Sequence, residues 1–226
     1  MSVLSFDFAP WRLSGTVLGV LLNHRPALAA LGDAVHAAPY KAPPKAPVLY
    51  VKPRNTQVGA GARVAVPAGV PALEVGAALG LVIGRSACRV RAEEALSFVA
   101  GLVIVADLSV PHESFYRPSV RLKARDGFCP LGPRVWPLQA VPAPDALALR
   151  VTVDGRSVHE STTGERVRGA AQLLADVSAF MTLAPGDVLM TGVAAGAPHV
   201  EPGHTVGVSL EGLGTLSFDL VREELS

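Results

Sequence analysis

At 226 residues with 50% hydrophobic side chains, the chain is long enough to bury one sizeable core without dividing into two domains. Its 20 Lys and Arg against 19 Asp and Glu leave a net charge of +1, which argues against a nucleic-acid partner and against an acidic disordered tail. Two cysteines, Cys88 and Cys129, are too few for a disulfide framework and too isolated for a zinc site, and no apolar run reaches the roughly 18 residues that span a bilayer.

The opening MSVLSFDFAPWRLSG lacks the basic start and apolar run of a signal peptide, so a cytoplasmic protein with reduced thiols is expected. Residues 1–14 read as an irregular arm and 15–226 as one domain. Residues 16–22 form a short β-prone run, closed by Asn23-His24-Arg25-Pro26. Pro26 is suited to open a helix, where its missing N–H is not needed, so 27–35 is expected to be helical. The Pro-rich stretch 39–47 is a rigid connector into the strand-like VLYVK.

Strand-like runs punctuated by Gly and Pro follow at 63–66, 79–83 and 102–106, with a helix over 92–99. Alternating Leu149, Val151 and Val153 before Asp154-Gly155 predict a strand entering a tight hairpin turn, with Arg156–His159 as its partner. Leu173, Leu174, Val177 and Phe180 have the 3,4 spacing of an amphipathic helix over 169–180. Pro185-Gly186-Asp187 turns into a strand over 188–191, and 206–210 with 215–220 closes the chain as a hairpin. The sum is a mostly β (α+β) domain with two or three small helices.

Four segments in this order resemble the fumarylacetoacetate hydrolase family: LVIGRSACRV (81–90), GLVIVADLSV (101–110), RLKARDGFCPLGP (121–133) and FMTLAPGDVLMTG (180–192). NHRPALAAL, PYKAPPKAPVLYVKPRNT and ESFYRPSVRLKARDGFCP are similar to a narrower branch. That branch is the N-terminal half or subunit of the isomerase/decarboxylases of 4-hydroxyphenylacetate (homoprotocatechuate) breakdown. The resemblance implies a twisted mixed β-roll with small flanking helices. It implies Mg²⁺ or Mn²⁺ held by several carboxylates, where the cation polarises a 2-oxo group and takes up enolate charge. The substrates it implies are ring-opened 2-oxo or 2-hydroxy-dienoate di- and tricarboxylates, on a homodimer or a heterodimer with a paralogous subunit.

Carried over position by position, the resemblance has gaps. The family's Glu-x-Glu ligands fall on Gly76 and Ala78. Glu74 shares their strand face but lies about 7 Å further along. Asp107 matches the third ligand; it also suits a strand-end carboxylate capping a turn. Lys123 and Asp126 match the family's catalytic Lys-x-x-Asp, although Lys123 could equally be a solvated side chain on a basic strand with Arg117, Arg121 and Arg125.

Arg121 and Arg125 suit bidentate binding of a substrate carboxylate. Asn23 and Thr191 fall at substrate-binding positions. The lid acid/base pair of some members falls on Ala27 and Ala30, leaving His24 nearby. The Thr-Gly-Thr-Pro loop reads Thr191-Gly192-Val193-Ala194, and Lys52-Pro53 reads as mainly architectural. Adjacent His112 and Glu113 would point to opposite faces of a strand. The expected function is an isomerase/decarboxylase unit with a weak or absent metal, set against a catalytically silent structural partner of a metal-bearing paralogue.

Overall fold

The computed structural model describes residues 4–38, 41–112, 119–141 and 143–224. Their strands are β1 (Val17–Leu21), β2 (Val48–Lys52), β3 (Gln57–Val58), β4 (Arg63–Val66), β5 (Leu73–Ile83), β6 (Val99–Ser109), β7 (Cys129–Pro137), β8 (Ala148–Val153), β9 (Arg156–Thr162), β10 (Val188–Met190), β11 (His199–Val200), β12 (Thr205–Leu210) and β13 (Gly214–Arg222). Four short helices flank them: α1 (Arg25–Ala30), α2 (Ala92–Ala95), α3 (Val120–Lys123) and α4 (Ala170–Ser178).

One sheet runs β2-β1-β10-β5-β6-β7-β3, with β11 added to β5. A second runs β4-β13-β12-β8-β9. The mostly β fold expected from the sequence is the fold observed.

The antiparallel pair β5 and β6 is the spine, in register from Glu74↔Ser109 to Leu81↔Leu102. Both strands are near-continuous apolar runs because both of their faces are covered. Leu73, Val75, Leu79, Leu81, Leu102, Ile104 and Leu108 pack into the main core. Ala78, Val82, Val103 and Val105 face a second cluster with Val17, Tyr50 and Met190. Strand alternation therefore puts Glu74, Gly76 and Asp107 at one end of this second face.

Residues 4–13, read from sequence as a loose arm, lie against that cluster. Leu4, Phe6 and Phe8 pack on it, and Leu13 is buried within it.

Local expectations differ from the structure in instructive places. The helix expected over 27–35 stops at Ala30 and continues as a 3₁₀ turn over Gly32–His36, because Gly32 adopts φ +48°. The helix expected over 92–99 yields after Phe98 to β6, which claims Val99. Residues 120–123 are a helix, not the basic strand that their charges suggested. Phe180 lies beyond the end of α4 and is exposed. The β8–β9 hairpin turns as expected at Asp154 (φ +48°) and Gly155 (φ +79°).

Candidate active site

Asp107, near the end of β6, is the hub. Its carboxylate is buried, and Oδ1 lies 2.7 Å from Lys52 Nζ while Oδ2 lies 3.0 Å from Lys123 Nζ. Tyr50 donates its hydroxyl to Oδ2 at 2.5 Å. Lys52 is fully buried and directs hydrogen bonds at three backbone carbonyls: Leu108 (2.7 Å), Lys123 (2.8 Å) and Phe128 (2.9 Å). Those bonds use all three ammonium protons, so the contact with Oδ1 is ionic rather than a directed hydrogen bond.

Burial alone would raise the Asp107 pKa. The Lys123 and Lys52 charges, with the hydrogen bond from Tyr50, outweigh it and hold the group below the usual carboxylate range. Burial pushes Tyr50 up, and the Asp107 charge adds to that. Burial also lowers Lys52, against the pull of Asp107. The acceptors around the two lysine amines and the phenol donor make the cluster two ammoniums on one carboxylate, with a neutral phenol.

The strand positions explain this assembly. In β2 only Val51 is exposed between buried Tyr50 and Lys52, so both functional side chains point inward. Tyr50 lies across Gly19 of β1, where a Cβ would sit 2.1 Å from the ring carbon Cζ. Glycine is required there for the phenol to reach Asp107. Lys123 ends α3, whose turn returns the chain so that Nζ reaches β6.

A cavity of about 270 Å³ opens over the cluster, and Tyr50, Glu74, Asp107, Lys123, Val193 and His199 are among its walls. Glu74 and His199 face each other across the β5–β11 pair, with Oε2 to Nε2 at 3.9 Å. Both sit on the wall of the site, although Glu74 is out of register with the ligand motif and His199 lies in none of the matching segments.

Other sequence-derived candidates are placed elsewhere. Asp126 is exposed and accepts a hydrogen bond from Asn55 Nδ2 at 2.7 Å. Arg125 Nε donates to the Arg121 carbonyl, and neither guanidinium lines the cavity. Asn23 is buried, donating to the Thr191 and Arg168 carbonyls and accepting from Arg168 N, so it staples the chain beneath the cavity loop. Thr191 Oγ1 is buried and has no hydrogen-bond partner among the described residues. His112 is on no strand, and Arg117 and Glu113 lie outside the described residues.

These residues do not fit the metal that the resemblance implies. A Cβ on Gly76 would meet Val193 Cγ2 at 2.7 Å, Val193 Cγ1 at 2.8 Å and the Asp107 carbonyl at 3.0 Å. Val193 replaces the second threonine of the loop motif, and its methyls occupy the space that a side chain at 76 would need. The two departures are one packing change. Asp107 is already neutralised by two ammoniums, which would repel a divalent cation at the same oxygens. Among the described residues no three His, Cys, Asp or Glu side chains come close enough to share one.

This packing carries a prediction. Gly76→Ala should destabilise the chain by about 1–3 kcal/mol, the usual cost of overpacking a filled core. Adding Val193→Ala should recover part of that loss in denaturant melts. Independent, additive effects would contradict the coupling.

The fold is a mixed β-roll that carries a lysine–aspartate cluster at the floor of a small cavity. Residues 16–221 match the fumarylacetoacetate hydrolase C-terminal family, and the chain belongs to that family. It is 41% identical over 211 residues to the 4-hydroxyphenylacetate degradation bifunctional isomerase/decarboxylase of Escherichia coli, covering 93% of this chain and 48% of that protein. The chain thus spans about half the length of the curated bifunctional isomerase/decarboxylases that it matches.

Among solved structures, 2-hydroxyhepta-2,4-diene-1,7-dioate isomerase of Mycobacterium marinum superposes with a TM-score of 0.78 at 30% identity, covering 94% of this chain and 77% of that one. The fumarylpyruvate hydrolase of Pseudomonas aeruginosa, solved with Mn²⁺ and pyruvate, has a TM-score of 0.83 at 24% identity, covering 99% and 96%; that likeness concerns the fold. Relatives and structural neighbours with named activities thus include isomerases and decarboxylases of aromatic catabolism. Among the described residues no helix is long and apolar enough to cross a membrane.

Proposed function

We propose that the chain is an isomerase-type unit of 4-hydroxyphenylacetate breakdown that moves a proton within ring-opened 2-hydroxy-dienoate di- or tricarboxylates. In this reading Lys123 takes the part that a metal plays in other members. The observation that carries it is Lys123 Nζ itself, on the cavity wall and held 3.0 Å from Asp107 Oδ2. A cation fixed in a shielded pocket stabilises negative charge where it develops.

The step needs only a proton relocated. The 2-hydroxyl proton leaves, the dienolate charge collects on oxygen beside Lys123, and a proton returns at a carbon of the diene. Asp107 is a poor base because two ammoniums and a phenol hold it ionised. Glu74, with His199 at 3.9 Å, is the carboxylate with the access to carry the proton. Decarboxylation demands a stronger electron sink than one ammonium, so it should be the slower activity of the pair.

The test uses the purified chain after exhaustive chelation. Loss of dienol absorbance should proceed and be unchanged by chelator, with carbon dioxide release much slower. An inert chelated chain that regains turnover with stoichiometric Mn²⁺ would overturn the reading, as would decarboxylation at the faster rate.

A further inference from the structure

The residue behind the cavity loop with the largest unmet hydrogen-bonding capacity is Arg166. It is 3% exposed, and its Nε, Nη1 and Nη2 all lack a hydrogen-bond partner among the described residues. Burying five N–H donors and a charge without an acceptor is costly, so native structures rarely leave such a group unfilled. The nearest opposite charges are committed elsewhere. Asp145 spends both oxygens on the Ala170 N–H, at 2.9 and 3.1 Å. Glu165 Oε2 takes His24 Nε2 at 3.2 Å. Burial pushes the Arg166 pKa down to about 10, which leaves it charged at neutral pH.

Two further unfilled polar atoms point the same way. In β9, His159 and Ser161 pair with Val151 and Leu149, whose side chains enter the core, so both residues lie on the inward face. His159 Nδ1 and Ser161 Oγ are buried with no partner among the described residues. The links between these residues are direct. His24 bridges Arg166 backbone to backbone, and its Nδ1 accepts from Ala195 N, while His159 Nε2 bonds the Ala195 carbonyl at 2.9 Å. The Ala195 backbone thus joins His159 directly, and the Arg166 strand through His24, behind the cavity wall.

From this we infer a buried anion site, formed by the Arg166 guanidinium and the Ser161 hydroxyl, with His159 Nδ1 as a further donor when protonated. It takes one small anion, a halide or a single carboxylate. With Arg166 almost wholly buried, a small anion suits it better than a bulky one, and a planar guanidinium fork suits a carboxylate. Its filling would fix the loop at Ala195 and thereby the cavity wall. The inference does not depend on the isomerase reading, since it rests on groups outside the Lys123 cluster.

The experiment is bromide binding to the full chain. Crystals grown in sodium bromide should show an anomalous peak within hydrogen-bond distance of Arg166. In solution, bromide or acetate replacing gluconate at constant ionic strength should raise the melting midpoint of the wild type, and Arg166→Met should abolish that rise. Ser161→Ala, which removes one donor and little volume, should weaken the anion dependence while leaving a folded chain even if Arg166→Met does not fold.

Displacement of bromide by pyruvate or glutarate would identify the site with a carboxylate ligand. Retention of bromide would identify it with a free inorganic anion; both outcomes support the site. Ordered waters alone around Arg166, with the same anion response in wild type and Ser161→Ala, would overturn it.

Discussion

Lys123→Met is expected to lower the isomerisation rate by about 10²–10³-fold, the usual loss when one preorganised charge-stabilising donor is removed. The methionine keeps most of the aliphatic length, so the cavity wall persists while the positive charge beside the nascent oxyanion disappears. Lys123 is the ammonium of the pair that reaches the cavity; Lys52 lies entirely beneath it. The loss should therefore fall on kcat more than on KM, since an interaction made chiefly in the transition state is the one removed. Lys123→Arg should recover part of the rate if charge is what matters. A Lys123→Met protein that is folded by circular dichroism and turns over like the wild type would remove the basis for a metal-independent mechanism.

Much of this architecture was legible in the chain. Period-2 apolar runs marked β4, the β8–β9 hairpin and the closing β12–β13 pair. Asp154-Gly155 specified its turn because only φ > 0 residues fit there. What was not legible depended on partners distant in sequence. VLYVK alternates Tyr50 and Lys52 on one face, but a lysine at an inward position reads as an outward one until its three carbonyl acceptors, from Leu108, Lys123 and Phe128, are in place.

Glu74 was set aside because the register was judged along one strand, whereas β11 brings His199 to it from the far end of the chain. Val193 was visible only as a missing hydroxyl. Its role as the filler of the space over Gly76 requires two segments 117 residues apart in sequence to meet. Arg166 carried no signal: an arginine beside Glu165 reads as a solvated surface pair, and nothing local foretells that Glu165 will be taken by His24.

The second large effect concerns stability and falls on Lys52. Lys52→Met should cost about 3–5 kcal/mol, the range for removing one partner of a buried ion pair. Two losses combine. Asp107 keeps a single compensating ammonium, three buried carbonyls lose a donor, and the new thioether cannot replace either interaction.

The pH dependence separates this account from simple misfolding. In the wild type the folded-state pKa of Asp107 is depressed, so its contribution is complete above the unfolded value near 3.9. That contribution is lost only as pH falls below that value towards the folded one. Without Lys52 the depression shrinks, and the variant should approach wild-type stability as pH falls through the acid range.

Lys52 acts in the same sense at the other end of the pH range. Burial lowers its pKa, so the unfolded chain binds more protons as pH rises towards the lysine range. The wild type should gain a little stability there, and the variant should lack that gain. Urea melts from pH 3 to 10 read both limbs. A Lys52→Met loss that is small, or that stays constant across the whole range, would mean that the buried Lys52–Asp107–Lys123 cluster does not hold this end of the sheet together.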